Sequence, residues 1–413
     1  MNEYKTNYFF LLGRNPSLSL AEIKSVLGIN PKIIVENYAV FSCAENLDQS
    51  FLDRLGGTQK IAREISYEKI LEKFSEHESK IIFGLSQFPG KKNLKAELIK
   101  LKKDLRKKGL KARFVNKNFT NLSNEVFYRE KLKEKGGEII LFQGKYYLVE
   151  AVQNIFSYSK RDYEKPSRNT KRGLLPPKLA QIMINLLGKK SSIYDPFCGD
   201  GVILMEAALM NLNAYGSDIN GRAIQDAQAN LNWISEYFKT KNLQENVFLR
   251  DATLRLNQKL KIDGIVTEGF LGPPQDKLPK REQREKIFSN LKKIYLGFLK
   301  SSKEFLRPEQ EIILIFPFFN LSNKKEGSKR KNKFTMKSEN YPSGHYLLGA
   351  LSREINDLGY QIFDFQKWSY LNSDTIKHGS STLIYSRKDQ VVCREIVKLV
   401  VRVLEKINVP KFY

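Results

Sequence analysis

The chain contains few of the residues that build metal centres and disulfide frameworks. Its 413 residues include three cysteines and three histidines. Cys43, Cys198 and Cys393 are widely separated, and neither they nor the histidines show the short spacings typical of metal ligands. We therefore expect no bound metal, no disulfide framework and a reducing, cytoplasmic environment.

Long apolar runs are also missing. The run Tyr8–Leu12 stops at Gly13 and is too short for the apolar core of a signal peptide. The longest later run, Ile312–Phe319, is too short to cross a bilayer. These lengths predict a soluble protein with no membrane partner.

Acidic residues are scarce relative to basic ones. The chain has 70 lysines and arginines against 45 aspartates and glutamates, a net charge of +25. Such a charge favours a polyanionic partner, because each phosphate that is contacted releases condensed counterions. General solubility charge is the alternative. The composition, 41% hydrophobic and 28% charged, is globular, and the length predicts two or more domains.

Residues 1–153 show an α+β pattern. Tyr8–Leu12 predicts a strand, and a helix over Leu20–Leu27 follows its turn. Leucines at helical spacing predict a second helix over Leu94–Leu110. Further strands are expected at Lys80–Leu85, Ala112–Val115, Ile139–Leu141 and Tyr146–Val152.

The helix over Leu94–Leu110 is crowded with cations on its polar faces. These side chains predict a phosphate-contacting surface, and a solvated helix face is the alternative. The candidate RNA-binding residues here are Lys95, Lys102, Lys103, Arg106, Lys107 and Arg113.

Residues 154–175 form a polar, basic segment that we expect to be a partly extended linker. Arg161 and Arg168 within it are further candidates for RNA contacts. So are Lys329 and Arg330, in a polar segment over 323–333 that is either a mobile RNA-contacting loop or only an insertion.

Residues 176–413 alternate strands with helices, which predicts a mostly parallel sheet covered on both faces. Strands are expected at Ser192–Tyr194, Ala214–Ser217, Val247–Leu249, Gly264–Val266 and Ile312–Phe316, with helices over Pro177–Leu187, Val202–Leu212, Arg222–Phe238 and Arg281–Phe305. Two final strands, Gln361–Phe365 and Thr382–Tyr385, are expected to close the sheet as an antiparallel pair.

The strongest local signal lies where the first strand of this alternation meets the next helix. Gly199 and Gly201 there allow a sharp turn and the close approach of a ligand to the backbone. Asp218 ends the next strand, where a carboxylate can accept both hydroxyls of a ribose. Asp251 and Ala252 follow the third strand and suit an adenine amine. Together these residues predict a site for an adenosyl group.

A nicotinamide dinucleotide is the rival ligand for this turn. The third glycine of a dinucleotide fingerprint is missing after Gly201, and Asp200 would oppose a pyrophosphate. An adenosyl sulfonium is positively charged, so Asp195 and Asp200 would favour it.

The motif Asp195–Gly201 with Leu204–Ala208 resembles the cofactor loop of THUMP-containing RNA methyltransferases, and most closely that of the tRNA guanosine-10 N2-methyltransferases. Leu175–Ala180 is similar to the preceding helix of that family, and Phe10–Gly13 with Leu18–Ile23 to its ferredoxin-like start. Asp200 and Val202 stand where the family often has serine and threonine.

This resemblance implies a Rossmann-like methyltransferase domain over 176–413, preceded by a ferredoxin-like and THUMP RNA-binding region over 1–153. It also implies S-adenosylmethionine as cofactor. The expected cofactor-binding residues are Asp195, Pro196, Phe197, Cys198, Gly199, Gly201, Asp218, Ile219, Asp251, Ala252 and Pro176.

The acceptor motif of the family, Asp/Asn-Pro-Pro-Tyr/Phe after the fourth strand, is altered in this chain. Matched on the strand, Glu268 takes the acidic position; matched on the aromatic ring, Thr267 does. We favour Glu268, which would accept hydrogen bonds from the substrate amine while Phe270 stacks on an extruded base. The alternatives are that Glu268 pairs with a lysine and that Phe270 only packs. The prolines are displaced to Pro273 and Pro274.

The expected function is therefore S-adenosylmethionine-dependent N2-methylation of a guanosine in tRNA, position 10 being implied by the resemblance alone. Related families use a small activating subunit, which is a further possible partner here. Two alternatives stay open: an RNA-binding protein that keeps the fold without activity, and an amino-methyltransferase acting on another base, in RNA or DNA.

Overall fold

The computed structural model describes residues 5–77, 79–90, 93–168, 174–320, 344–372, 382–387 and 390–403. The chain divides into two compact units, Met1–Ser159 and Lys160–Tyr413. The division falls within helix α7, Ile155–Tyr163, inside the segment 154–175 that we expected to be a partly extended linker. Lys329 and Arg330, which we expected to contact RNA, lie outside the described residues.

The first unit is an α+β structure built on an eight-stranded sheet in the order β2-β3-β1-β4-β8-β7-β5-β6. Strand β5 runs parallel to β6 and β7, and the other neighbouring pairs are antiparallel. Its strands are β1 Thr6–Leu12, β2 Ile33–Val35, β3 Tyr38–Cys43, β4 Thr58–Ile65, β5 Ile81–Phe88, β6 Ala112–Phe114, β7 Gly136–Phe142 and β8 Lys145–Val152. Its helices are α1 Pro16–Leu27, α2 Gln49–Asp53, α3 Tyr67–Ser75, α4 Lys95–Lys107, α5 Asn124–Arg129 and α6 Leu132–Lys135.

Helix α4 confirms the amphipathic pattern predicted for this stretch. Leu98, Leu101 and Leu105 are buried, because residues three and four apart on a helix share one face. The lysines and arginines occupy the remaining faces, so burial of the leucines leaves the cations at the surface.

The second unit contains the mixed sheet β11-β10-β9-β12-β13-β17-β15. Its strands are β9 Ser192–Asp195, β10 Asn213–Asp218, β11 Val247–Leu249, β12 Gly264–Glu268, β13 Glu311–Asn320, β14 Gly344–Tyr346, β15 Tyr360–Ile362, β16 Leu383–Tyr385 and β17 Val392–Val401. Its helices after α7 are α8 Pro177–Leu186, α9 Val202–Leu209, α10 Gly221–Phe238, α11 Arg281–Ser302 and α12 Ser352–Asp357.

Strands β9 to β13 are mutually parallel in the spatial order 3-2-1-4-5 of a Rossmann-like sheet, numbering the five from β9. The predicted fold class is thereby confirmed. The strand order reverses between β9 and β12. In such sheets ligands bind beyond the carboxyl ends of the strands at this reversal, so the fold itself points to one edge.

The end of the sheet differs from the expected antiparallel pair. Strands β15 and β16 do not pair with each other; each pairs with a different part of β17. Strand β17 lies antiparallel to β13 along nearly its whole length. The sequence pattern concealed it, because Arg394, Glu395 and Lys398 interrupt an otherwise apolar run.

None of the helices in the described ranges is both long and apolar enough to cross a membrane.

Candidate active site

A cavity of about 750 Å³ opens at the carboxyl ends of β9, β10, β11 and β12 in the second unit. This volume lies within the usual range for small-molecule sites. Most of the predicted cofactor residues line it. They are Asp195, Pro196, Phe197, Cys198, Gly199, Asp218, Ile219, Asp251 and Ala252.

The two predicted glycines have different roles in the turn between β9 and α9. Gly199 has φ +55°, and a Cβ built there would meet nothing within 4 Å, so the backbone is open to a ligand. Gly201 has φ +82°, and a Cβ there would lie 3.1 Å from the Cβ of Ala227 on α10. Gly199 lines the cavity, whereas Gly201 is outside the lining and serves the turn and the packing of α10.

Asp218 is held in a fixed orientation at the end of β10. Its Oδ2 accepts from the backbone N–H of Gly199 at 3.1 Å, and its Oδ1 from that of Asn220 at 2.9 Å. A carboxylate has about four lone-pair sites, so acceptor capacity is left for the hydroxyls of a ligand. Ile219, 68% exposed, forms an apolar wall beside it.

Asp251 is similarly fixed after β11. Its Oδ1 accepts from the backbone N–H of Thr253 at 2.8 Å and from the Thr253 hydroxyl at 2.7 Å. Ala252 is buried between them and also lines the cavity. Thr253 was missed in the sequence, although a threonine two residues after an aspartate is a common turn signal.

Asp195 is the most strongly perturbed carboxyl group in the cavity. Its Oδ1 accepts from the Thr267 hydroxyl at 2.6 Å and from the backbone N–H of Phe197 at 3.2 Å. Burial raises the pKa of Asp195 most, the nearby charges of Asp218 and Glu268 raise it as well, and the resulting pKa is about 7. Within the described ranges Asp195 has no ion-pair partner, so the site favours a positively charged ligand group.

Asp200 behaves differently from its neighbour. It lines the cavity, but its Oδ2 accepts from Lys165 Nζ at 2.8 Å in a largely buried ion pair. Lys165 therefore compensates a charge that we expected to favour a sulfonium. Lys165 itself was missed because it lies in the segment interpreted as a linker.

The acceptor candidates Thr267 and Glu268 occupy different positions at the end of β12. Thr267 is fully buried and bonds to Asp195, whereas Glu268 lines the cavity. Glu268 Oε1 accepts from Nε of Arg394, whose side chain is 6% exposed. The alternative reading, in which Glu268 pairs with a lysine, is met in a different form, because its partner is a buried arginine 126 residues away along the chain.

The loop after β12 brings Phe270 to the same cavity. Phe270 is 50% exposed, and its carbonyl accepts from the Tyr295 hydroxyl at 3.2 Å. A Cβ on Gly269 would lie 2.5 Å from that hydroxyl oxygen, so only glycine fits between β12 and α11. The displaced Pro273 and Pro274 also line the cavity.

Two of the predicted contacts fall elsewhere. Pro176 precedes α8 and lies outside the cavity lining, although its neighbour Leu175 is part of it. Arg161, predicted to bind RNA, is 5% exposed and donates to Glu206 from Nε at 2.7 Å. This prediction is wrong, because a buried, paired guanidinium cannot reach a phosphate.

The other predicted cations that fall within the described ranges remain at least partly accessible. Lys95 and Lys102 lie over the rings of Phe119 and Phe114, and Arg168 lies over that of Tyr163. Two of the cations have acidic neighbours, Lys107 with Asp104 and Arg113 with Glu130. Lys103 and Arg106 are exposed on α4. These positions are compatible with phosphate contacts.

Among the described residues, no group of three or more histidine, cysteine, aspartate or glutamate side chains is arranged to hold a metal ion.

A family model described as "RMKL-like, methyltransferase domain" matches residues 166–336 of this chain. The matched stretch includes the turn after β9 as well as Asp218, Asp251 and Glu268. The family match therefore covers most of the residues that line the cavity.

Two named relatives match parts of the chain. The tRNA (guanine(10)-N2)-dimethyltransferase of Methanothermobacter thermautotrophicus is 40% identical over 99 residues, 23% of this chain and 27% of the relative. A probable tRNA (guanine(10)-N2)-dimethyltransferase of Methanothermococcus thermolithotrophicus is 33% identical over 143 residues, 30% of this chain and 81% of the relative. The chain thus matches about a quarter of the length of the first relative.

Among solved structures, TrmN from Thermus thermophilus aligns with 96% of this chain and 99% of its own chain, at 13% identity and a TM-score of 0.45.

Proposed function

Because this chain belongs to the family of the tRNA (guanine(10)-N2)-dimethyltransferases, we propose that it methylates the exocyclic N2 amine of a guanosine in tRNA, with S-adenosylmethionine as methyl donor. Position 10 is the acceptor that the names of the relatives suggest. The observation that carries the proposal is that one cavity is lined both by Asp218 and Asp251, which suit an adenosyl group, and by Glu268 and Phe270.

The residues of the cavity fit the cofactor. Gly199 leaves its backbone open to the ligand, Asp218 offers acceptors for two ribose hydroxyls, and Asp251 offers one for the adenine amine. Asp195 is a buried carboxyl group with no cation beside it among the described side chains, and a positively charged ligand group would supply one. When bound, the cofactor supplies a methyl group on a positively charged sulfur, which an amine nitrogen takes as the carbon–sulfur bond breaks with its electron pair left on sulfur.

Glu268 would orient the amine. The lone pair of a guanine N2 amine is delocalised into the ring, so a nearby acceptor for its hydrogens is needed to aim that lone pair. Glu268 lines the cavity at the end of β12 and its Oε2 would be this acceptor, and it would also receive the proton that the nitrogen releases on its way to solvent. Phe270, half exposed at the rim, would stack on the extruded base.

We further propose that the first unit holds the RNA, which would make 1–153 the THUMP-like RNA-binding region. The cations of α4 support this, because they are arranged on one helix with its apolar face buried. A basic helix of this kind supplies sequence-independent affinity, leaving the choice of acceptor to the cavity.

The test is nucleoside mass spectrometry of tRNA incubated with the protein and isotopically labelled S-adenosylmethionine. We expect guanosine carrying one or two labelled methyl groups, and the mass will distinguish mono- from dimethylation. A matched DNA oligonucleotide and a tRNA with inosine at the acceptor position, which lacks the N2 amine, are the controls. Label on another base, or on DNA alone, would overturn the assignment.

Glu268→Ala is the sharpest variant for this reaction. It should abolish turnover and leave S-adenosylmethionine affinity unchanged, because Glu268 faces the acceptor side of the cavity. Calorimetry and the methylation assay are performed on the same preparation. Equal turnover in variant and parent would transfer the acceptor role to another residue.

A second candidate is an RNA-binding protein that keeps the cofactor fold without activity. The observation favouring it is the engagement of Glu268 by Arg394, which occupies one oxygen of the proposed acceptor. Cofactor binding without methyl transfer to any RNA would support this candidate against the first.

A further inference from the structure

Arg394 is a charged residue buried in an otherwise largely apolar strand. It lies near the start of β17, and its whole residue is 5% exposed. A buried guanidinium is costly unless its donors are satisfied. Two of them are: Nε donates to Glu268 Oε1, and Nη2 donates to the carbonyl of Leu174 at 3.3 Å.

The sheet register explains how these two distant residues meet. Glu268 pairs with Ile315 on β13, and Ile315 pairs with Ile396 on β17. Paired neighbours across a sheet, and residues two apart on one strand, share a face, so Arg394 lies on the face of Glu268. Arg394 lies two strands away from Glu268 and two residues closer to the edge of the sheet at which the cavity opens. Its long side chain crosses β13 to reach Glu268.

This contact leaves Glu268 with one occupied and one unoccupied oxygen. Oε1 accepts from Arg394, whereas Oε2 has no hydrogen-bond partner in the described part of the chain. A glutamate side chain has three rotatable bonds, and holding it in one rotamer before substrate arrives removes an ordering cost from the reaction. We propose that Arg394 is a positioning residue for methyl transfer, holding Oε1 of Glu268 so that Oε2 faces the substrate amine.

The same cation balances the charge of the cavity. Among the described residues, the carboxylates and the lysine that line the cavity with Glu268 are Asp195, Asp200, Asp218, Asp251 and Lys293, and Tyr295 and Arg394 also interact with Glu268. Arg394 places a cation directly beside the carboxylate of Glu268, in a cavity that is lined by several other carboxylates. Arg394 touches no reacting atom and acts only through Glu268. The inference rests on the proposed function.

A double-mutant cycle tests this dependence. Arg394→Met and Glu268→Gln are made singly and together, and kcat, the KM for tRNA and the Kd for S-adenosylmethionine are measured for each. We expect each single variant to lower kcat by about 10- to 100-fold with the Kd unchanged. In the Glu268→Gln background, Arg394→Met should cause no further loss, because its route of action is already gone.

The pH profile provides a second readout that a structural role would not move. In the Arg394→Met variant the acidic limb of kcat should shift to higher pH, because the carboxylates of the cavity lose the cation beside them. Arg394→Lys keeps the charge and is the variant to use if the methionine variant does not fold. It should keep the acidic limb in place while lowering kcat, since lysine is shorter and lacks the Nε donor.

Lys398 supplies a matched control on the same strand. It shares the face of Arg394 and pairs with Glu311 at 2.7 Å, at the opposite end of the sheet from the cavity. Lys398→Met should lower the midpoint of thermal unfolding and leave kcat and its pH profile unchanged.

The outcomes separate two failures. Multiplicative losses in the double variant, or an Arg394→Met variant that changes stability alone as Lys398→Met does, would overturn the role of Arg394. A parent protein that binds S-adenosylmethionine but methylates no RNA would overturn the proposed function itself.

Discussion

The buried carboxyl group of Asp195 makes cofactor affinity depend on pH. Burial raises its pKa to about 7 in the unliganded protein, and no cation compensates it among the described side chains. A positively charged ligand group binds the ionised form more strongly than the protonated form. Affinity should therefore fall as protons occupy Asp195 below about pH 7.

The size of this effect follows from the shift. The rise from an ordinary value of 3.8 to about 7 corresponds to an upper limit of about 4 kcal/mol between the two protonation states. Within the accessible range, the ionised fraction changes about tenfold from about pH 6 to about pH 8, which is worth about 1.4 kcal/mol of binding. We expect S-adenosylmethionine affinity to rise by that amount over the interval.

Isothermal titration calorimetry of the parent and of Asp195→Asn measures this change of S-adenosylmethionine affinity with pH. The asparagine Oδ1 can keep both bonds of the aspartate, to Thr267 and to the backbone of Phe197, so the variant changes charge alone. Its affinity should lie below that of the parent at each pH and should lack the rise between about pH 6 and about pH 8.

Asp276→Asn is the matched control, because Asp276 is exposed on the loop after β12 and lies outside the cavity lining. The ligand's own titration cancels when variants are compared at each pH. Parallel curves for the parent and Asp195→Asn would refute the reasoning.

Three further predictions concern single positions. Asp218→Ala should weaken S-adenosylmethionine binding by roughly 1–3 kcal/mol, since it leaves ribose hydroxyls unpaired; unchanged affinity in calorimetry would remove Asp218 from the site. Gly201→Ala should lower the free energy of unfolding by about 1–3 kcal/mol, because Gly201 combines a positive φ with a close contact to α10. Gly199→Ala should chiefly lower cofactor affinity. The reverse pattern in paired denaturation and binding assays would contradict the assigned roles. Glu395→Gln should stabilise the protein at about pH 8 by up to about 3 kcal/mol and have little effect at about pH 5. Burial raises the pKa of Glu395 to about 7, so its ionised form opposes folding. Equal effects at both pH values in urea denaturation would refute this.

The Rossmann-like half could be predicted because its signals are local. Strand and helix periods alternate from residue 176 onward, and parallel strands joined by helices have few permitted arrangements. Asp218 and Asp251 could be predicted for the same reason. Each ends a strand of that sheet, and the carboxyl ends of neighbouring parallel strands meet at one edge.

The roles of the two glycines could not be separated in advance. Both fit a turn between strand and helix, and a sequence does not reveal which one faces a ligand. The difference depends on Ala227, which α10 places beside Gly201 from 26 residues further along the chain. The packing of α10 against the turn therefore decides which glycine can face a ligand.

The antiparallel end of the sheet was predicted least well. Pattern reasoning treats a charge in an apolar strand as evidence against burial, so β17 was missed and β15 was paired with β16. A buried charge needs a partner, and Arg394 finds it two strands away. The contact is a product of register, which depends on long-range pairing.

Net charge is a similarly indirect guide to the RNA surface. Arg161, Lys165 and Arg394 are all cations in the unit that carries the cavity, and each is buried against a carboxylate: Glu206, Asp200 and Glu268 respectively. Removing either member of such a pair would leave an uncompensated buried charge, so these cations serve folding and site geometry. In the proposed function the RNA would be met by cations without buried partners. Helix α4 offers such cations, since Lys95 and Lys102 lie over aromatic rings and the exposed Lys107 pairs with Asp104. We therefore expect that neutralising the cations of α4 removes salt-dependent RNA affinity and leaves cofactor affinity unchanged.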